Sequence, residues 1–421
     1  MGSIPITRFI FFYKSCYQRS VSTFLSEALR LFYCLKIRRE GMMIVKSTSD
    51  YAALKEELIA YAHEIGIQKI GFTTADPFLF LKERLLEAEA LDLFTGFEHP
   101  VIDERVYPEL IFKEPQSIIA IALAYPSKLK EAPISKKGAR RGVFARASWG
   151  IDYHTVLREK LALLETFLSE RLPDVRMKSM VDTGELSDVA VAERAGIGWR
   201  GKNTLLITPE YGSWVYLGEM ITNIPFEPDT PASDLCGSCN QCVKACPTGS
   251  LLGEGKMNPK ICLSYLTQTK DFLDEKYREV LHNRLYGCDT CQVVCPYNRG
   301  HDFHFHDEME PDPELVRPEL KPLLHISNRA FKEQFGDMAG SWRGKKPIQR
   351  NAIIILARYK DKTAVPDLID CLQNDPRPVI RGTAGWALRK IGGSDAEKAV
   401  EQALQTEQDE QVLQELTAIT N

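Results

Sequence analysis

Apolar positions first fall into a regular pattern at residues 50–66, where they recur at helical spacing until Gly66 ends the run. A strand is predicted at Lys69–Thr73, bounded by Asp76-Pro77. Ser117–Tyr125 is a near-continuous apolar run closed by Pro126, as expected of a strand buried on both faces. A long helix is predicted from Tyr153 to Arg171. A strand at Met177–Val181 follows, delivering Asp182-Thr183-Gly184 at its end. Ser187 is placed to cap a helix through Ala195, which Gly196 stops. Thr204–Ile207 and Ser213–Thr222 read as the two arms of a hairpin. Together these elements predict an α+β domain over residues 44–230. Beyond residue 306, past a Pro- and acid-rich link from Glu308 to Pro322, the pattern is helical. The stretches Arg350–Arg358 and Arg381–Arg389 share one frame 31 residues apart, each followed by a turn and a second helix. That period predicts two stacked HEAT-like repeats over residues 306–421.

The composition, 44% hydrophobic and 26% charged, is that of an ordinary globular protein, and 421 residues suffice for two or three cores. A net charge of −4 points to no nucleic-acid partner by itself, so any basic patch must be local. Within the first 42 residues, Arg8, Lys14 and Arg19 precede the first acid, Glu27, a composition resembling an organellar transit peptide. The preferred reading is instead a start codon set ahead of a cytoplasmic protein, with residues 1–43 outside the fold. No apolar run reaches the ~18 residues of a membrane span.

Between the two halves, residues 231–305 carry the chemistry. Cys236-x2-Cys239-x2-Cys242-x3-Cys246-Pro247 has the bacterial ferredoxin spacing, in which three cysteines wrap one [4Fe–4S] cube and the fourth reaches a second. Cys288-x2-Cys291-x3-Cys295-Pro296 repeats the ending without a nearby leading cysteine, and Cys262 can fill that place. The spacing pairs Cys236, Cys239, Cys242 and Cys295 on one cube, and Cys246, Cys262, Cys288 and Cys291 on the other. Two zinc sites are the alternative, but zinc does not account for the x2-x2-x3 run or for the prolines. Eight thiols kept for iron imply a reducing compartment.

Two motifs mislead. Gly196-Ile-Gly198-Trp-Arg-Gly201-Lys202-Asn203 satisfies GxGxxG and nearly satisfies Walker A, but a helix precedes it and a strand follows, the reverse of what either needs. Its glycines instead suggest close approach of backbone to a large ligand. Asp182-Thr183-Gly184 matches the aspartic-protease tripeptide without the second copy that such enzymes require. Asp182 is then either a turn residue or a general acid beside a cofactor. Charge in the tail is lopsided. Residues 343–390 hold eleven Lys/Arg against four Asp/Glu, whereas 391–415 hold one against seven. A solvated face is the ordinary explanation. Recurrence at repeat-equivalent positions points to a basic face for a phosphate backbone, carried by Arg343, Lys345, Lys346, Arg350, Arg377 and Arg381.

The cysteine runs, Val181-Asp-Thr-Gly-Glu-Leu-Ser-Asp, Ala195-Gly-Ile-Gly-Trp and the terminal helical pair, in this order from about residue 50 onward, resemble the epoxyqueuosine reductase family. The resemblance implies a cytoplasmic, cobalamin-dependent enzyme with two [4Fe–4S] clusters and a nitroreductase-like first domain. It would reduce epoxyqueuosine to queuosine at the tRNA wobble position, the last step of queuosine biosynthesis, with Asp182 as proton donor. Burial beside an apolar corrin would raise the Asp182 pKa and keep it protonated. Cobalamin contacts are expected at Arg105, Ala145, Asp182, Leu206, Leu217, Ser264 and Asp289. The expected partners are modified tRNA and a low-potential donor protein such as flavodoxin or ferredoxin, with the enzyme a monomer. A cobalamin-dependent reductive dehalogenase of small organohalides is the alternative. Those enzymes carry a twin-arginine export signal and lack a HEAT-like tail.

Overall fold

Every position of the apolar run Ser117–Ala124 is buried, because this strand lies inside a four-stranded antiparallel sheet with cover on both faces. The computed structural model describes residues 48–417, so the extension assigned to residues 1–43 lies outside the described residues. The first domain runs α1 (Thr48–Glu64), β1 (Lys69–Thr74), β2 (Ser117–Ala124), β3 (Val143–Phe144), α2 (Tyr153–Arg171), β4 (Met177–Met180), α3 (Asp188–Arg194), β5 (Trp199–Arg200), β6 (Leu206–Ile207) and β7 (Val215–Thr222). The sheet order is β1-β2-β7-β4. Side chains alternate along β2. Ile119, Ile121 and Leu123 enter a core with Leu54 and Leu58 of α1 and Leu161 and Leu164 of α2. Ile118, Ala120 and Ala122 face the other way, onto Leu186, Val191 and Ile197.

The predicted hairpin does not form. Both edges of β7 are taken, by β2 and by β4, so β6 pairs with β5 instead. This pairing also explains two of the three glycines of the misleading motif. A Cβ on Gly198 would collide with the Ile207 carbonyl, and one on Gly201 with the Ile207 side chain. The close approach is made by the chain's own strand rather than by a ligand. Ser187 stands at the start of α3 as expected, but its side chain makes no capping bond.

Two further strands, β8 (Leu251–Gly253) and β9 (Lys256–Met257), form a hairpin in the cysteine-bearing segment. Its last strand, β10 (Arg284–Tyr286), pairs parallel with β3, with the Ala145 N–H donating to the Tyr286 carbonyl at 2.8 Å. The cysteine segment is thereby fastened to the first domain. The tail contains α4 (Lys345–Arg358), α5 (Val365–Asn374), α6 (Pro378–Ile391), α7 (Ser394–Thr406) and α8 (Glu410–Thr417), the stacked helical pairs that the 31-residue frame predicts. Its core is not separate. Ile353, Leu356 and Trp386 belong to one apolar cluster with Leu263, Leu266 and Leu285 of the cysteine segment and Phe144 of the first domain. The acidic link is also packed, with Met309 fully buried under α2 and the Leu320 N–H donating to the Arg140 carbonyl at 2.8 Å. Among the described residues no helix is long and apolar enough to cross a membrane.

Arg350 corrects the reading of a basic tRNA-facing row. Its side chain is only 1% exposed. Its guanidinium donates to the carbonyls of Leu266, Thr269 and Asp271 at 2.7, 2.9 and 2.6 Å, and the neighbouring Asn351 donates to Thr267 and Leu285. Arg350→Met should therefore destabilise the protein rather than weaken RNA binding. Each orphaned buried acceptor costs about 1–3 kcal/mol, so the loss should be on the order of 3 kcal/mol or more. Urea unfolding measures it, and an unchanged midpoint would refute the anchoring role.

Candidate active site and cluster centres

The cysteines lie in loops and short helical turns, a backbone that lets several thiols converge. Cys236, Cys239, Cys242 and Cys295 together line one small void of about 40 Å³, flanked by Asn203 and Ile207 of the first domain. Burial, followed by the proximity of Cys236, Cys242 and Cys239, raises the Cys295 thiol above its ordinary value. The second group shows the same signature. Burial raises Cys262, with Cys288 and Cys246 as charged neighbours, and Cys291 is raised by burial, then by Cys288 and Cys262. The chain thus gathers its eight thiols as two sets of four. Among the described residues no group of three or more His, Cys, Asp or Glu closes round one point tightly enough for a single ion. Thiolates at the corners of an iron–sulfur cube stand further apart than ligands of one zinc.

A cavity of about 360 Å³ opens beside the second set, between the β3 end of the first domain and the β10 loop. Cys288 lines it, with Ala145, Arg146, Tyr286, Gly287, Asp289 and Thr290. Asp289 accepts from both the Arg146 amide and its guanidinium, at 3.1 and 2.9 Å. Tyr286 lines the same cavity, and the charges of Asp182 and Asp152 add to burial in raising its hydroxyl to about 12. Asp182 thus lies within electrostatic reach of Tyr286, which lines the cavity together with Cys288.

Asp182 adopts a left-handed backbone conformation, φ 53°. Its carboxylate, 57% exposed, lies 3.4 Å from His154 Nε2, while His154 Nδ1 contacts Asp152 Oδ1 at 2.7 Å. Asp152 is the N-cap of α2, so the helix start fixes both the imidazole and its carboxylate neighbour. Burial lowers the His154 pKa, but Asp152 and Asp182 outweigh it and hold the imidazole up at about 9. In return His154, and less strongly the Tyr153 hydroxyl, hold the Asp182 carboxyl below its usual range despite partial desolvation. This corrects the expectation of a protonated Asp182. The cation beside it outweighs desolvation, and the resting proton sits on His154. Tyr153 and His154 were missed in the sequence. The available signal was Asp152-Tyr-His at the head of a long helix.

The expected cofactor contacts divide. Ala145 and Asp289 line the cavity, and Asp182 lies within electrostatic reach of its Tyr286. Leu206 and Leu217 pack their side chains into the apolar cluster beneath β2. Arg105 lies in the turn Ile102–Val106 beside Glu98, and the Ser264 carbonyl accepts from Thr267 and Gln268. The expected RNA contacts are mostly spent within the protein, as Arg350 is. Arg381 pairs with Glu407 at 2.7 Å, Arg377 pairs with Asp375 at 2.6 Å, and Lys345 donates to the Ile326 carbonyl at 2.6 Å. Arg343 donates to the Gln268 carbonyl at 3.2 Å and stacks over Phe97 and Trp342 with ring distances of 5.1 and 4.9 Å, and Lys346 is half-buried in the same segment.

Family models match three segments: a 4Fe-4S double cluster binding domain at residues 235–298, "Epoxyqueuosine reductase QueG, DUF1730" at 105–183, and HEAT repeats at 343–419. The chain is 96% identical over 379 residues to the epoxyqueuosine reductase of Listeria monocytogenes, covering 90% of this chain and all of that protein. It is 62% identical over 363 residues to that of Bacillus subtilis, covering 86% and 94%. A crystal structure of epoxyqueuosine reductase with an epoxyqueuosine-modified tRNA-Tyr stem loop superposes with a TM-score of 0.86 at 61% identity, covering 87% of this chain and 97% of that one. A Bacillus subtilis structure whose catalytic aspartate loop is swung out of the active site gives a TM-score of 0.85 at 60% identity, covering 87% and 98%.

Cys262→Ser should cost one cluster although Cys262 lies outside both tight runs. Anaerobically reconstituted protein should fall from about eight irons per chain to about four. Retention of eight would break the assignment. His154, raised in the folded state, contributes stability that is complete below about pH 6.5 and is lost as pH rises towards about 9. Melting curves of wild type should show that decline, and His154→Gln should lack it.

Proposed function

This chain belongs to the epoxyqueuosine reductase family, and from that premise we propose that it reduces epoxyqueuosine at the wobble position of tRNA to queuosine. The reaction removes the epoxide oxygen as water, breaking two C–O bonds and forming a C=C bond, and consumes two electrons and two protons. The observation that carries the reading is a cavity lined by both Cys288 and Tyr286, the latter within electrostatic reach of Asp182, which in turn pairs with His154.

Cys236, Cys239, Cys242 and Cys295 would hold one [4Fe–4S] cube, and Cys246, Cys262, Cys288 and Cys291 the other. Ala145 and Asp289 would contact cobalamin at the cavity, whose mix of small residues and polar groups suits a corrin edge bearing amides. When bound, cobalamin would supply low-valent cobalt redox chemistry matched to clusters that carry electrons singly.

The remaining work falls to the chain's own side chains. Asp182 delivers a proton to the departing oxygen, and His154 is the store from which it is replenished. Once substrate covers Asp182, lost hydration raises its carboxyl towards that of its neighbour and eases transfer from the imidazolium. The Bacillus subtilis relative with a displaced catalytic aspartate loop supports placing this role on the Asp182 loop. The relative bound to a modified stem loop supports tRNA as substrate. Arg343 and Lys346 are the tail cations that would meet its phosphates, with Lys345, Arg350, Arg377 and Arg381 serving the fold. The enzyme would act as a cytoplasmic monomer, reduced by a flavodoxin or ferredoxin.

Asp182→Asn should still bind tRNA but reduce epoxide about 10²–10⁴-fold more slowly in single-turnover assays, the usual contribution of a general acid. Near-normal turnover would assign the proton to another donor. Wild-type rates should fall above about pH 9 as His154 loses its proton, and His154→Gln should abolish that limb. Replacing Arg343 and Lys346 by Glu should weaken tRNA binding and flatten its salt dependence, with the log–log slope falling by about 0.9 for each phosphate left unneutralised. An unaltered slope would place the RNA elsewhere.

A further inference from the structure

Behind the Asp182 loop, two carboxyl groups meet in the interior. Glu219 lies in the middle of β7, 1% exposed, in register with Met180 of β4 and Ala120 of β2. Asp188 begins α3 and faces it. Asp188 Oδ2 accepts from the Asp182 amide at 2.9 Å. The other Asp188 oxygen and both Glu219 oxygens are buried and have no partner outside the pair. Among the titratable groups near the pair, Asp182 and Glu185 are acids and the Tyr153 hydroxyl neighbours Asp188, while Lys178 is engaged by Glu185 at 2.6 Å. His154 faces Asp182 rather than the pair. Two bare carboxylates there would repel each other with nothing to offset them, leaving three orphaned oxygens. One shared proton turns the repulsion into a hydrogen bond.

We propose that Asp188 and Glu219 share a single proton and act as a latch, whose hold on the Asp182 amide keeps the proton-donor loop in its working position. Both are positioning residues, acting through the backbone of Asp182. The inference rests on the reading of Asp182 as donor, but its structural claim is separable from that reading. Burial, then the charge of Asp188, raises the Glu219 carboxyl well above its usual range. Burial, then Asp182, raises Asp188 to about 6. Groups raised on folding contribute stability that is full at low pH and lost as pH rises through their folded values. When Glu219 finally ionises, the second charge splits the pair, Asp188 turns away, and the Asp182 amide loses its acceptor. The displaced loop of the Bacillus subtilis relative shows that such a loop has a second position to occupy.

Hydrogen exchange of the full-length, cluster-loaded protein tests the latch without tRNA or cobalamin. The pH at which Glu219 ionises is read from its carboxyl 13C shift, and protection of the peptide spanning residues 181–187, corrected for intrinsic exchange, should fall at least about tenfold in wild type across the pH range that spans it. Glu219→Gln and Asp188→Asn each keep one hydrogen bond across the pair and permit at most one charge. Both should therefore hold protection level across that range, and either suffices if the other fails to fold. Level protection in wild type, or a variant that loses protection in step with it, would overturn the proposal. The reductase reading would be untouched by that result. Conversely, an Asp182→Asn protein with normal turnover would remove the proton-donor reading while its exchange profile still reports the latch.

Discussion

Five backbone carbonyls of the cysteine segment, from Leu266 to Leu285, are held by two adjacent side chains of one tail helix, Arg350 and Asn351. The segment between Cys262 and Cys288 is built of short elements, Leu263–Leu266, Glu275–Val280 and β10, whose ends and connections leave carbonyls in need of donors. Without those donors, the acceptors would need water inside the shared apolar core. Fixing this loop fixes Cys262 and Cys288 at its ends and Tyr286 beside them. The same loop supplies β10 to the first domain. The tail's deepest cation is therefore a structural element of the second cluster site, and its burial explains why a basic residue recurs there without facing RNA.

The proton side of the chemistry depends on a second constraint, the alternation of charge from Asp152 through His154 to Asp182. Each carboxylate raises the imidazole, and the imidazole lowers each carboxylate. The arrangement stores a proton directly beside the carboxylate proposed to deliver it. Exposure of Asp182 to solvent in the free protein, and loss of that exposure under substrate, would time the transfer.

The legible parts of the sequence were those set by local pattern. The eight-residue run at Ser117, the long helix from Tyr153 and the 31-residue repeat each appear where periodicity puts them. The cysteine spacing was legible because cluster ligation imposes it directly. What was misread depended on pairing at a distance. Nothing near Thr204 or Ser213 reveals that both edges of β7 are already occupied. Nothing beside Arg350 and Asn351 reveals five carbonyls that lie between 66 and 84 residues earlier in the chain. The acidity of Asp182 was misjudged because its neighbour in space, His154, is separated from it in sequence by the whole of α2 and β4. Glu219, a lone acid within an apolar strand, was passed over, although such a conflict of pattern often marks a functional position.

The shared core also sets an order of events during synthesis. The last cluster cysteine, Cys295, emerges well before Arg350, yet the loop that presents Cys262 and Cys288 is completed only by that later helix. A nascent chain stopped short of the tail would display the first set of thiols in nearly finished surroundings and the second in an unsupported loop. The second set of thiols would therefore reach its final geometry only after Arg350 and Asn351 have been made.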